Sequence, residues 1–248
     1  MTETLTTFEY RDRQLGDTEG IVVATSPRVF YPTSTTNLLL RTVRRAITAP
    51  PGAALDLGCG CGIVAITLAK RVMPEGSVAA SDISEEAVRL AERNAADNNV
   101  TVECRQGSLF EPWAGRRFDL IVDDVSGMAE EIARSSPWYP PHIPSDAGPD
   151  GTRWIGQVLA QAPDFLSPRG RLIFPVLTLS DEKKILEEAH RRFRTVRRLD
   201  EQWYPLNDDL LSRCSPLHTL AADGTITVEK RGSRWWWATR ICLATDPA

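Results

Sequence analysis

The sequence has few of the residues that build metal centres and disulfide frameworks. Its 248 residues include five cysteines and three histidines. Cys59 and Cys61 are separated by a single residue, which is too close for a CxxC redox pair or for the usual zinc-ligand spacing. The remaining cysteines and the histidines are scattered along the chain. We therefore predict no metal site and no disulfide framework of the kind found in secreted proteins.

A long apolar run and an excess of basic residues are also missing. No apolar run approaches the ~18 residues of a membrane-spanning helix, and no signal peptide is recognisable. We therefore expect a cytoplasmic protein that does not bind membranes. We further expect either a monomer or a homodimer. The formal net charge is −4, whereas nucleic-acid-binding domains usually carry a basic excess. A nucleic-acid substrate is therefore not expected, and we interpret the basic run at 191–198 as a solvated face.

Strands and helices alternate from Ala53 onward. Apolar segments of strand length are separated by amphipathic segments of helix length, and this order predicts a doubly wound, mostly parallel sheet. A further helix is predicted to begin near Thr35, where apolar residues recur at helical spacing. The predicted fold class is α/β and Rossmann-like, with an antiparallel C-terminal hairpin strand. The seven predicted strands are AALDLG, SVAASDI, VTVECRQG, FDLIVDD, GRLIFPVL, TVRRLDEQWYPL and TITVEKRGSRWWWATRICLA.

A glycine-rich turn joins the first of these strands to the next helix. Gly58, Gly60 and Gly62 alternate with other residues in LDLGCGCG, and Asp56 precedes them on the strand. Glycines at such a turn let the backbone approach a ligand closely, and the free amides at a helix start favour negative charge. Asp82 ends the next strand, where a carboxylate can bind both hydroxyls of a ribose. Together these features predict a nucleoside-containing cofactor.

The same segments resemble a known family. DLGCGCGIVAITLAK followed by ASDISEEAVRLAERNAADNN is similar to the class I S-adenosylmethionine-dependent methyltransferases. VFYPTSTTNLLL and DAGPDGTRWIGQVLAQAPDFLSPRGRLIF further resemble the HemK-like group, which contains the release-factor glutamine methyltransferases. This likeness covers roughly residues 28 to 178. It implies S-adenosyl-L-methionine as the cofactor and one domain overall, in which residues 1–48 cover the cofactor site and residues 49–248 form the catalytic domain.

The resemblance also implies roles for individual residues. Gly58 to Gly62 would pack against the methionine part and the ribose, Asp82 would bind the ribose hydroxyls, and Ile83 would lie against the adenine. Asp56 would reach the methionine amino group through water, and Thr36 would lie over the cofactor. The complete cofactor-binding set that we expect is Thr36, Asp56, Gly58, Cys59, Gly60, Gly62, Asp82, Ile83, Ser108, Leu109 and Asp123.

The chain departs from this family at the expected acceptor site. The family has Asn-Pro-Pro-Tyr after the strand that here ends in IVDDVSG, so Asp124 takes the place of the Asn and residues 125–127 replace Pro-Pro-Tyr. An ionised carboxylate accepts hydrogen bonds but cannot donate them as an amide does. Selection of a glutamine side chain, and with it methylation of release factors, is therefore not expected. Ser108 likewise stands where the family often has an Asp that binds the adenine amino group.

Asp124 is the first candidate for a catalytic residue. Neighbouring residues of a strand point to opposite faces, so only one of Asp123 and Asp124 would face the reacting methyl group, and the alignment selects Asp124. A carboxylate there would accept a proton from an amine or hydroxyl, or hold a cationic amine. Tyr139 and His142, in the proline-rich loop 135–151, are further candidates, for cation–π contact and as a base respectively. Capping of the strand end and packing of the loop are the alternatives.

Three functions are compatible with this sequence. The first is methyl transfer to a small-molecule, amino-acid-like or peptide nucleophile. In the second, the pocket excludes acceptors and the cofactor's own amine attacks its γ-carbon, which gives azetidine-2-carboxylate and methylthioadenosine. The third is a catalytically inactive cofactor-binding partner subunit. The nucleoside product separates them, since the three yield S-adenosylhomocysteine, methylthioadenosine or neither.

Overall fold

The computed structural model describes residues 6–136, 138–139, 143, 146–214 and 216–248. No helix among these residues is both long enough and apolar enough to cross a bilayer. The strands of the described chain are β1 (Thr6–Tyr10), β2 (Ile21–Thr25), β3 (Ala53–Leu57), β4 (Ser77–Asp82), β5 (Glu103–Gln106), β6 (Phe118–Asp123), β7 (Leu166–Leu177), β8 (Phe193–Pro205), β9 (Glu229–Arg231) and β10 (Arg234–Pro247). The α-helices are α1 (Ser34–Ala46), α2 (Ile63–Thr67), α3 (Glu85–Asp97), α4 (Glu130–Ser135), α5 (Arg153–Phe165), α6 (Glu182–Arg192), α7 (Asp208–Arg213) and α8 (Pro216–Ala222).

The main sheet has the strand order β5-β4-β3-β6-β7-β10-β8, and β9 pairs with β10 at its start. The neighbours from β5 to β7 are parallel. β10 is antiparallel to both β7 and β8. The predicted α/β fold class, with a mostly parallel sheet and an antiparallel C-terminal hairpin, is therefore confirmed. The short strand β9 adds an eighth strand to the seven that the sequence predicts.

Both faces of the sheet are covered, as the alternation of residues on β6 shows. Leu120 and Val122 belong to the apolar core that includes residues of α1, α2 and α3, whereas Ile121 belongs to the core that includes residues of α5 and α6. Because successive residues of a strand point to opposite faces, continuing this alternation directs Asp123 and Asp124 to different sides. The strand therefore ends with one acid on each face.

Two helices begin with side-chain caps beside the carboxyl edge of the sheet. Thr33 caps α1, since its hydroxyl accepts a hydrogen bond from the amide of Thr35 at 3.2 Å and its own amide donates to Thr36 Oγ1 at 3.3 Å. Ser84 caps α3 by accepting from the amide of Ala87 at 3.3 Å. Both caps hold short turns in place next to the strand ends.

The hairpin of β1 and β2 forms a separate two-stranded sheet. Asn94 of α3 attaches it: the amide of Ala24 donates to Asn94 Oδ1 at 2.8 Å, and Asn94 Nδ2 donates to the carbonyl oxygens of Ala24 at 2.9 Å and Cys61 at 2.8 Å. One buried side chain therefore links the hairpin to the glycine-rich turn. The sequence pattern does not predict β1 or the short helices α4, α7 and α8.

Candidate active site

A cavity of about 420 Å³ lies at the carboxyl edge of the sheet. It extends from β4 and β3 past the end of β6 to β7, β10 and β8, which is the edge where open α/β sheets bind ligands. We define the cofactor half as the lining residues of segment 28–35 and of the turns after β3, β4 and β5. We define the acceptor half as residues 124–128, the lining residues of 138–154, and the adjoining ends of β7, β8 and β10.

The glycine-rich turn is tied to the neighbouring strand and packed against the next helix. The amides of Gly58 and Cys59 both donate to the carbonyl oxygen of Ser81, at 2.9 and 3.0 Å. Gly62 has a φ of +82°, and a Cβ placed there would lie 2.9 Å from Ala91 Cβ. The turn therefore requires glycine at Gly62 both for its left-handed backbone and for the close approach of α3.

Asp82 and Ile83 end β4 at the rim of the cofactor half. Asp82 Oδ2 accepts a hydrogen bond from the amide of Gly60 at 3.0 Å, and Oδ1 accepts from the amide of Ser84 at 2.9 Å. Burial raises the pKa of Asp82, although these backbone donors oppose the shift. Ile83 lines the cavity and is 55% exposed, an unusual degree for a large apolar side chain. The pair offers hydrogen-bond acceptors and an apolar face side by side.

Asp56 lies beneath the glycine-rich turn and is fully buried. Its Oδ2 accepts a hydrogen bond from the amide of Ala65 at 3.0 Å, whereas Oδ1 has no hydrogen-bond partner among the described residues. Burial, followed by the nearby charge of Asp124, raises the pKa of Asp56. A buried carboxylate oxygen with a free acceptor position fits a cofactor that brings an amino group to this side of the turn.

These residues fit S-adenosylmethionine chemically. The glycine-rich backbone leaves room for a ligand, Asp82 matches a ribose, Ile83 matches a flat base, and Asp56 matches an amino group. Asp124 adjoins this half directly, because its amide donates to the carbonyl oxygen of Leu57 at 3.1 Å, immediately before the turn. The cofactor half and the end of β6 therefore form one continuous site.

The two neighbouring acids after β6 lie in different environments. Asp123 is 1% exposed and does not line the cavity; its Oδ1 accepts a hydrogen bond from the amide of Val125 at 3.4 Å. Burial and then the charge of Asp124 raise the pKa of Asp123 to about 8. Asp124 lines the cavity. Burial raises the pKa of Asp124 to about 7, against a hydrogen bond from Thr36 that lowers it.

Thr36 contacts the acid rather than the cavity. Its Oγ1 donates to Asp124 Oδ2 at 3.0 Å and accepts from the amide of Thr33 at 3.3 Å, and the side chain is buried. The first turn of α1 thus fixes the orientation of the Asp124 carboxylate. One oxygen of that carboxylate is therefore engaged by Thr36, and the residue lines the cavity.

Aromatic side chains surround the acceptor half. Tyr139 accepts a hydrogen bond at its hydroxyl from Ser126 Oγ at 3.2 Å, and its ring centroid lies 5.1 Å from that of Phe30. Burial raises the pKa of Tyr139. Trp138 and Trp237 also line this half, and their ring centroids are 5.4 Å apart. The site beyond Asp124 is therefore apolar, with hydroxyl groups beside the acid.

The structure brings most of the sequence-predicted site residues together. Thr36, Asp56, Cys59, Gly62 and Asp123 do not line the cavity, and His142 lies outside the described residues. The functional roles of the whole set stay predictions. Those that line the cavity are Gly58, Gly60, Asp82, Ile83, Ser108, Leu109, Asp124 and Tyr139.

Sequence reasoning missed several residues of the acceptor half. Tyr204 lines the cavity from the end of β8, and Leu177 from the end of β7. The signal that could have found them is their position in the last residues of strands that end at the same edge of the sheet. Phe30 was also missed, although it lies in the segment that precedes α1.

The chain is similar to known methyltransferases. The family model described as Methyltransferase small domain matches residues 21–124. A release factor glutamine methyltransferase from Geobacter sulfurreducens is 34% identical over 163 residues, which are 62% of this chain and 55% of that protein. A ribosomal protein uL3 glutamine methyltransferase from Bradyrhizobium diazoefficiens is 36% identical over 124 residues, or 48% of this chain and 39% of that protein. The chain spans about half the length of the curated relatives that it matches.

Solved structures share the fold. A 16S rRNA N2 G1207 methyltransferase from T. thermophilus, in complex with AdoMet and guanosine, has a TM-score of 0.62 and 15% identity, covering 98% of this chain and 50% of that chain. The Mtq2–Trm112 complex of E. cuniculi has a TM-score of 0.55 and 15% identity, covering 88% of this chain and 99% of that chain. At such low identity the likeness establishes the fold alone.

Proposed function

We propose that this chain, a HemK-like member of the class I S-adenosylmethionine-dependent methyltransferases, transfers a methyl group to a nitrogen or oxygen nucleophile of a small, amino-acid-like or peptide acceptor. The observation that carries the proposal is the position of Asp124. It lines the same cavity as Gly58 and Asp82, at the junction between the cofactor half and the acceptor half. An acceptor bound in the acceptor half would approach the cofactor past Asp124.

The chemistry requires positioning more than activation. S-adenosylmethionine, when bound, supplies an electrophilic methyl carbon on sulfur. Asp82 and Ile83 would orient the nucleoside, and the glycine-rich turn would hold the methionine part, whose amino group the buried Asp56 would reach through water. Asp124 would accept a hydrogen bond from the N–H or O–H of the acceptor and so direct a lone pair along the line of attack. As the new bond forms, that proton passes to the carboxylate or to water.

The acceptor half supports an intermolecular reaction. The cyclisation of S-adenosylmethionine requires a pocket that excludes other nucleophiles, whereas this cavity continues past Asp124 to the ends of β7, β8 and β10. The relatives that the chain resembles are named as glutamine methyltransferases of a release factor and of a ribosomal protein. Asp124 differs from the amide expected at that position in the resembling family, so we assign a different nucleophile to this chain.

The proposal is tested by incubating the purified protein with S-adenosylmethionine and a mixture of amine, hydroxyl and amide acceptors, followed by mass spectrometry of the nucleosides. We expect S-adenosylhomocysteine that depends on added acceptor. Asp82→Ala should abolish cofactor binding, whereas Asp97→Ala, which removes an exposed carboxylate at the end of α3, should leave it intact. Acceptor-independent methylthioadenosine, or equal loss of binding in both variants, would refute the proposal.

A further inference from the structure

The acceptor half contains a continuous aromatic wall, which we define as Trp138, Tyr204 and Trp237. Trp237 packs between the other two rings, with centroid distances of 5.4 Å to Trp138 and 5.0 Å to Tyr204 and interplanar angles of 49° and 37°. All three rings line the cavity, and Trp237 is only 6% exposed. Because the rings pack against one another, they present a mainly apolar surface, in which the buried Nε1 of Trp237 has no hydrogen-bond partner among the described residues. A flat apolar group is the ligand that such a surface binds by burial.

The aromatic wall lies close to Asp124 because both are attached to the start of α1. The hydroxyl of Tyr204 donates to the carbonyl oxygen of Ser34 at 3.1 Å. Thr36, which belongs to the same helical turn, donates to Asp124 Oδ2 at 3.0 Å. One turn of an α-helix rises about 5.4 Å. A single small molecule can therefore contact the wall with one end and Asp124 with the other.

The described residues that line the acceptor half carry charges that disfavour one class of acceptor. Among the described residues of this half, Asp124 is the only carboxylate, and none is a Lys, Arg or His. The lining cation Arg28 belongs to the cofactor half, where it is paired with Glu86 of α3. A carboxylate on the acceptor would be buried near Asp124 with no cationic partner among these described residues, which is unfavourable. An amine, in contrast, has Asp124 as its partner.

We infer that the methyl acceptor is an arylalkylamine-like molecule, an amine that carries a flat apolar group and no carboxylate. The flat group packs on the aromatic wall and the nitrogen contacts Asp124. This inference rests on the proposed methyl transfer and adds the acceptor class to it. It also accounts for the acid at this position, because an amine donates hydrogen bonds that a carboxylate accepts.

The reaction step balances without a further reactant. The lone pair of the neutral amine nitrogen forms a bond to the methyl carbon while the carbon–sulfur bond breaks and its electron pair stays on sulfur. The nitrogen then carries a positive charge and releases one proton to the Asp124 carboxylate or to water. The products are the N-methylated amine and S-adenosylhomocysteine.

Matched acceptor pairs test the inference. Tryptamine and tryptophan differ by one carboxylate, as do phenethylamine and phenylalanine. We expect kcat/KM for each amine to exceed that of its amino acid by about 100-fold or more. Calorimetric titration in the presence of S-adenosylhomocysteine should show the same order of affinity without turnover. Equal values within the pairs would overturn the inference.

Variants of the wall supply the second readout. Trp237→Leu should raise the Kd for tryptamine about tenfold through the lost ring contact. Trp236→Leu is the matched control, since it is the next residue on β10 and does not line the cavity. Trp138→Ala, outside the regular strands, gives the same test if Trp237→Leu does not fold. Unchanged tryptamine affinity in folded Trp237→Leu or Trp138→Ala would contradict the inference.

Different results would refute the inferred acceptor class and the proposed methyl transfer. If the protein methylates a glutamine peptide or a hydroxyl acceptor while arylalkylamines neither bind nor react, the acceptor class is wrong and methyl transfer stands. If S-adenosylmethionine does not bind, or yields only methylthioadenosine, methyl transfer itself is wrong and the inference falls with it.

Discussion

Asp124 should control the pH dependence of methyl transfer. Its carboxyl lies at the junction of the two halves of the cavity, and burial raises its pKa to about 7 despite the hydrogen bond from Thr36. An acceptor that donates its N–H or O–H requires the ionised carboxylate. The active form of the protein should therefore increase as the pH rises through neutrality. The perturbation that isolates this effect is Asp124→Asn, which keeps the shape of the side chain and removes its ionisation.

The expected magnitude follows from the pKa of about 7. The ionised fraction of such a carboxyl is roughly one tenth at pH 6 and roughly nine tenths at pH 8, so kcat/KM should rise about tenfold over this range. An ordinary exposed Asp, with a pKa of about 3.9, is ionised throughout this range and would give no change in kcat/KM. The acceptor itself also titrates, but it does so equally for both proteins. The ratio of kcat/KM for the wild type to that for Asp124→Asn therefore reports the Asp124 carboxyl, together with its effect on Asp123 and Asp56, whose pKa values are raised by burial and then by its charge.

The assay measures S-adenosylhomocysteine with the fastest acceptor of the panel, at several pH values between 6 and 8, for both proteins. We expect the ratio to rise about tenfold and the variant to be the slower enzyme at pH 8. Melting temperatures at each pH serve as the control for folding. A flat ratio, or a variant as fast as the wild type at pH 8, would show that ionisation of Asp124 does not limit the reaction.

Three further predictions concern the residues around this acid. Thr36→Val removes the hydrogen bond that lowers the pKa of Asp124, so the rise in kcat/KM should move to higher pH, and Thr36→Ser should restore it; an unmoved profile in Thr36→Val would show that Thr36 does not position the acid. The pKa of Asp123 is about 8 in the folded state, against about 3.9 in the unfolded chain, so the folded protein keeps a proton that the unfolded chain releases. The contribution of Asp123 to stability is therefore present at low pH and is lost as the pH rises to about 8. The free energy of unfolding of the wild type should therefore fall more steeply than that of Asp123→Asn, by about 1.4 kcal/mol per pH unit between pH 5 and pH 7; parallel slopes in denaturant titrations would contradict this. Gly62→Ala should destabilise the fold by about 2–4 kcal/mol, because the left-handed backbone costs about 1–2 kcal/mol and the approach to Ala91 adds a clash; Gly16→Ala, with a φ of +83° and no atom within 4 Å of its Cβ position, should cost only the backbone part, and equal losses would rule out the clash.

The sequence predicts the fold well where its periodicity is long and regular. The alternating strands and helices from Ala53 onward, and the cap at Ser84, follow from local patterns that the packed sheet does not override. The short helices α4, α7 and α8 have too few residues to show a helical period. They form because their apolar side chains pack together in one cluster with the end of β7 and with Trp237. Tertiary packing therefore decides these elements.

In the candidate site too, local patterns predict some residues and tertiary packing decides others. The positions of Gly58, Gly60 and Asp82 follow from a local motif, because the turn between one strand and one helix determines them. Strand alternation predicts that only one of Asp123 and Asp124 faces the cavity, and the resemblance to the family, which has Asn at this position, selects Asp124. The sequence does not predict the contacts within the aromatic wall, because Trp138, Tyr204 and Trp237 are far apart along the chain and Trp237 meets Tyr204 only when β8 and β10 pair.

The most direct test is the identity of the nucleoside formed from S-adenosylmethionine, with and without tryptamine. We expect intact cofactor when the protein is incubated with it alone, and stoichiometric S-adenosylhomocysteine and N-methylated amine when tryptamine is added. Methylthioadenosine without an acceptor would contradict methyl transfer and indicate cyclisation. Intact cofactor under both conditions, with a glutamine peptide methylated instead, would contradict the acceptor class assigned to the aromatic wall and Asp124.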